Sequence, residues 1–161
     1  MKNKNFIALF AVALLIATAW VWTSATNPKK DCITSYVDYG VLNPGAVATE
    51  CIAVEGEMDA MTILNSASLA IHGTDKYGLQ VVCRVNSLPS GAGPIGIKGH
   101  EDYIETCKDM PAEFAYWAIL VRDGSGPWGW AQTGLLDIKL KPGDSIALVF
   151  ADNENVKFPN D

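Results

Sequence analysis

Four large aromatic side chains crowd two short segments, Tyr116-Trp117 and Trp128-Gly129-Trp130. Amphipathic rings near a hairpin tip offer flat faces to planar ligands, sugars or protein partners. Gln132, just beyond, adds an amide able to anchor a polar group. Alternation puts Trp128 and Trp130 on the same side of a strand, and in a small domain that side is either a contact surface or the core. Metal chemistry has one candidate, His100-Glu101-Asp102 with Glu105. Adjacent side chains seldom converge on one ion, so a solvated face is expected there. The inventory for an enzyme is thin: two histidines, His72 and His100, with no G-x-S-x-G and no H-E-x-x-H. With all four cysteines paired there is also no activated thiol, and the chain reads as non-catalytic.

Those cysteines, Cys32, Cys51, Cys83 and Cys107, all follow an N-terminal leader. The leader has lysines at positions 2 and 4, an apolar run from Phe6 to Trp22, and a small-residue exit at Thr23-Ser24-Ala25. That order is the order of a signal peptide, with cleavage after Ala25 favoured over the Ala17-Thr18-Ala19 exit because it removes Trp20 and Trp22. The competing reading is an uncleaved signal anchor, since 17 apolar residues reach the lower limit for crossing a bilayer. Either way the remainder faces outward, secreted or extracytoplasmic, and an even cysteine count there favours disulfides over metal. Taking the two leader lysines from a net charge of -6 leaves -8, with the basic residues scattered apart from Lys29-Lys30. Such a surface excludes nucleic acid, which needs clustered Lys and Arg to displace phosphate counterions.

The expected organisation is a leader over 1–25, a linker over 26–31, one domain over 32–152 and a tail over 153–161. Cys32 to Tyr39 alternates as a strand, with Ile33, Ser35, Val37 and Tyr39 on one face. Val47 to Val54 folds back on it, and a turn centred between Val41 and Leu42 sets Cys32 opposite Cys51. Glu57 to Ala67 reads as a helix with Met58, Met61, Leu64 and Ala67 on its apolar face and acids in its first turn. Gly73 to Lys76 is a turn, Leu79 to Val85 a strand, and the glycine-rich stretch Ser90 to Gly99 a mobile loop without the lysine of a phosphate cradle. Tyr116 to Arg122 and Ser145 to Phe150 are the later strands, the last launched from Pro142-Gly143-Asp144. The sum is an α+β domain, one helix on one sheet, stapled by Cys32–Cys51 and Cys83–Cys107.

The run Glu55-Gly56-Glu57-Met58-Asp59-Ala60-Met61, then Val82 to Pro89, Cys107, Tyr116-Trp117, Trp128-Gly129-Trp130, Gly134 and Pro142-Gly143-Asp144 resembles the transcobalamin-like C-terminal domain family. The resemblance spans most of the chain after the leader. It implies a β-grasp, ubiquitin-like topology and an exported setting in bacterial members. In the animal cobalamin carriers it implies a role as the smaller of two lids closing on the corrinoid. Two departures stand out: Ser87 where many members carry glycine, and the lack of the tryptophan that many members place near Leu148 in the last strand, a change expected to remove one aromatic from the surface. The helical-barrel domain of those carriers has no counterpart. Two functions follow: a binding module for a small ligand such as cobalamin or a related corrinoid, and an extracellular structural or adhesive domain contacting protein or cell wall. For the first, the contact surface is expected on Trp128, Trp130 and the Ser90 to Gly99 loop, with Gln132 as polar anchor.

Overall fold

The computed structural model describes residues 31–153 and 155–160, so the leader and all but the end of the linker lie outside the described residues. No helix among the described residues is long and apolar enough to cross a membrane. Strands β1 (Cys32–Asp38), β2 (Val47–Ala53), β6 (Ala115–Arg122), β7 (Gly129–Trp130) and β9 (Ser145–Asp152) form one mixed sheet in the order β2-β1-β9-β6-β7. β1 and β9 run parallel at its centre, and the other pairs are antiparallel. Two small ribbons complete it, β3 (Met58–Asp59) with β8 (Lys139–Leu140) and β4 (Ile71–Thr74) with β5 (Gly78–Val85). The domain is thus α+β, mostly sheet, with the single helix α1 (Ala60–Ser66) among the described residues.

Alternation sorts the sheet into two apolar faces. Ile33, Val37, Trp117, Ile146, Leu148 and Phe150 enter the main core with Ile63 and Leu64 of α1. Ala118, Leu120, Ala147 and Val149 form a second cluster on the opposite face, covered by Tyr36, Tyr116, Trp128 and Val156. β9 is therefore buried on both sides from Ser145 to Ala151, which suits its unbroken apolar run. Val156 of the expected tail packs against this cluster, and Pro159 is buried. Pro142-Gly143-Asp144 fixes the entry to β9: Asp144 accepts the Lys141 and Gly124 N–H groups, and Gly143, at φ 95°, donates to the Cys32 carbonyl.

Both expected disulfides form, each with Cα atoms 5.6 Å apart. They mark an oxidising, extracytoplasmic compartment. The register behind the first is corrected, because Cys32 lies opposite Ala53 and Cys51 opposite Thr34. The 3-10 turn at Gly40–Leu42 shifts the reversal by one residue, and Cys32 bonds its diagonal neighbour. The helix is also shorter than expected. Met58 and Asp59 are drawn into the ribbon with Leu140 and Lys139, and Asp59 pairs with the Lys139 ammonium, so no acid remains in the first turn. Its buried face is Ala60, Ile63, Leu64 and Ala67, turned away from Met58 and Met61, which sit half-buried at the rim.

Gly73 and Thr74 belong to a strand rather than to a turn. β4 meets β5 with irregular register on both sides of Gly73, where a Cβ would strike the Gly78 carbonyl, so glycine here permits close backbone approach. Leu148 and its neighbours from Ser145 to Ala151 are buried, so an aromatic side chain at this place in β9 would lie inside the domain rather than on its surface. Ser87 has φ 65°. Left-handed backbone is costly for any residue with a Cβ, and Ser87→Gly is expected to stabilise the domain by about 1 kcal/mol, measurable by urea denaturation.

Candidate functional site

A groove of about 740 Å³ lies between β5 and β6. Gln80, Val81 and Val82 of β5 form one wall and Tyr116 to Ile119 of β6 the other; Met110 to Glu113 close one end and Trp130 to Gly134 the opposite one. The groove exists because β7 is only two residues long. Its partners are Leu120 and Val121, after which the chain turns off through Gln132 to the 3-10 turn Leu135–Asp137 and leaves the rest of β6 uncovered on that side. Gln80 braces this exit by donating from Nε2 to Asp137 at 2.9 Å, and Gly134 packs so closely on Gln80 that a Cβ could not fit.

Of the side chains singled out by sequence, Trp130, Gln132, Tyr116 and Trp117 line this groove, whereas Trp128 and residues 90–99 do not. They differ in what they offer. Trp130 is 46% exposed, with its ring at right angles to that of Phe158 and the centroids 6.3 Å apart. Trp117 is 5% exposed and belongs to the core, held edge-on by Tyr39 and Phe150 while Nε1 donates to the Leu88 carbonyl at 3.2 Å. Gln132 donates its side-chain amide to the Trp130 carbonyl at 2.9 Å. Trp128 lies half-buried on the second apolar cluster with the Arg122 guanidinium 4.8 Å above its ring. The groove residues that sequence reading missed, Gln80, Val82, Met110, Pro111 and Glu113, come from segments far from the aromatics in the chain. No local pattern marks them.

The glycine-rich loop is tied at several points. Ile97 is buried in the main core, Ile95 donates to the Tyr103 carbonyl, and Lys98 accepts from the Asn153 amide at 3.3 Å. Gly91 packs on Arg84, which bonds the Pro89 and Glu105 carbonyls. A smaller cleft of about 440 Å³ shares Ala131 to Thr133 with the groove and carries charge, including Arg122, Lys139, Lys141, Asp123 and Asp144. Its lysines are matched internally, Lys139 to Asp59 and Lys141 to Asp123 at 3.1 Å.

His100, Glu101 and Asp102 are exposed, and Glu105 does not join them. It turns inward, accepting the Cys107 N–H and the Tyr103 hydroxyl, each at 2.6 Å. Beside Cys83 and Cys107 it makes a compact trio of donor atoms, but both sulfurs are committed to their disulfide. Burial and the bond to Glu105 push the Tyr103 hydroxyl up to about 12. A pKa raised in the folded state stabilises the fold below the unfolded value near 10, and that contribution disappears as pH climbs through about 12. Tyr103→Phe should therefore cost about 2 kcal/mol at neutral pH, as expected for a lost bond to a carboxylate, and should flatten the alkaline limb of the stability curve between pH 10 and 12. Thermal denaturation against pH reads both effects. No family model, curated protein sequence or solved structure matches this chain.

Proposed function

We propose that the protein is an exported, non-catalytic binding module that holds a small ligand in the groove between β5 and β6. The observation that carries this reading is the exposed Trp130 indole at the mouth of a concave, largely apolar slot whose size falls in the range of small-molecule sites. The sheet order, with a parallel central pair, a hairpin at one edge and the helix packed over one face, supports a β-grasp assignment and with it the resemblance to the transcobalamin-like domain. That resemblance makes cobalamin and cobinamide the first candidates, with Trp130 as stacking surface and Gln132 as polar anchor beside it. The aromatic surface is revised from the one expected by sequence, because Trp128 and the 90–99 loop stand apart from the groove. Export, by a signal peptide cleaved after Ala25 or a retained anchor, accords with the two disulfides.

A spectroscopic titration of the purified protein with cobalamin and cobinamide tests the reading. Stacking on an indole adds on the order of 1 kcal/mol beyond area burial, so Trp130→Ala should weaken binding about tenfold while leaving the melting temperature in place. A second reading has an observation of its own. β2 is a sheet edge whose residues are all exposed except Ile52, and a flat open edge suits an adhesive or structural contact with extracellular protein or cell wall. Substitutions at Trp130 would leave that contact intact.

A further inference from the structure

β6 has one strand edge that is only partly used. Phe114 accepts from Asn153 beyond β9, and the pairing continues through Tyr116↔Ala151, Ala118↔Val149 and Leu120↔Ala147. By the alternation of a strand, Trp117, Ile119 and Val121 turn their backbone groups the other way. β7 covers Val121, and Ala131 donates to the Ile119 carbonyl at 3.0 Å. There the cover stops. Among the described residues, nothing is seen to bond the Trp117 N–H, the Trp117 carbonyl or the Ile119 N–H, and the two residues that carry these groups line the groove.

We propose that the groove takes an extended peptide, added as a short strand against Trp117 and Ile119 of β6. This inference rests on the groove being the ligand site and gives it a different occupant from the corrinoid that the resemblance suggests. A residue of such a peptide placed opposite Trp117 would exchange both of its backbone hydrogen bonds with it, an arrangement that a purely apolar or anionic ligand cannot supply. Strand addition also explains why an apolar slot should have a polar wall: main-chain bonds give affinity, and Val82, Pro111 and the Trp130 indole receive one side chain of the peptide. Charge narrows the choice further. Among the described residues that line the groove, Glu113 is the only carboxylate or cation; it is exposed and stands at the end where β6 begins. The occupant is therefore a peptide with a basic residue near that end.

The test uses the isotope-labelled protein and a blocked tripeptide, acetyl-Val-Lys-Val-amide, with analogues N-methylated at each amide in turn. Saturable shifts of the Trp117 and Ile119 backbone amide signals are expected, with at least one methylated analogue binding about tenfold more weakly because it removes the donor to the Trp117 carbonyl. Glu113→Gln should weaken the lysine peptide about twofold to fivefold and leave a norleucine analogue unaffected. Equal binding of all methylated analogues, or binding that leaves both amide signals unmoved, overturns the inference. Binding of cobinamide without binding of the peptide overturns it too, while leaving the groove as a ligand site. Failure of both probes overturns the groove reading along with it.

Discussion

Trp117→Ala is expected to lower the unfolding free energy by about 3–5 kcal/mol, the range for removing a buried tryptophan. The indole is wedged between Tyr39 and Phe150 at ring-centroid distances of 5.7 and 5.4 Å and ties β6 to the turn after β5 through the Leu88 carbonyl. Alanine would leave a cavity among side chains fixed by the sheet, and an acceptor in a part-buried site would lose its donor. For a domain of this size the loss corresponds to a fall in melting temperature of about 10–20 °C by scanning calorimetry. A small effect would mean that the core under the groove can collapse to fill the space.

Replacing Cys83 and Cys107 together by alanine should cost about 3 kcal/mol. The bridge closes a loop of 24 residues, and restricting that loop in the unfolded chain sets the size of the effect. Its consequences are local as well. Cys107 sits at φ 61° with its N–H on the Glu105 carboxylate, and its carbonyl accepts from Asp75, so the bridge holds together β5, the end of β4 and the turn that buries Glu105. Urea denaturation of the double variant measures the loss, and added Tyr103→Phe should then cost less than it does alone, because the Glu105 pocket is already loosened.

Strand alternation, turn residues and cysteine count made most of the sheet legible in advance. Ile33, Ser35 and Val37 face the core as their spacing implies, and Asp144 closes the turn before β9. The misreadings share a cause, which is a long-range partner overriding a local signal. Met58 and Asp59 carry helix-start chemistry, yet Leu140 and Lys139 recruit them into a ribbon. Gly73-Thr74 carries turn chemistry, yet the missing Cβ of Gly73 lets it close on the Gly78 carbonyl as a strand. For the site, sequence could identify Trp130 and Gln132 as side chains in search of a surface. It could not separate Trp130 from Trp128, because that depends on the early end of β7 and on residues after 152 folding back over the second face.

The decisive measurement titrates the wild-type protein, Trp130→Ala and Trp128→Ala with cobinamide and with the blocked tripeptide, following binding and melting temperature for each. One of the probes is expected to saturate the wild type, Trp130→Ala to weaken its binding about tenfold with an unchanged melting temperature, and Trp128→Ala to lower the melting temperature with unchanged affinity in the folded fraction. Undiminished affinity in Trp130→Ala, or no saturable response from either probe, would contradict the groove reading.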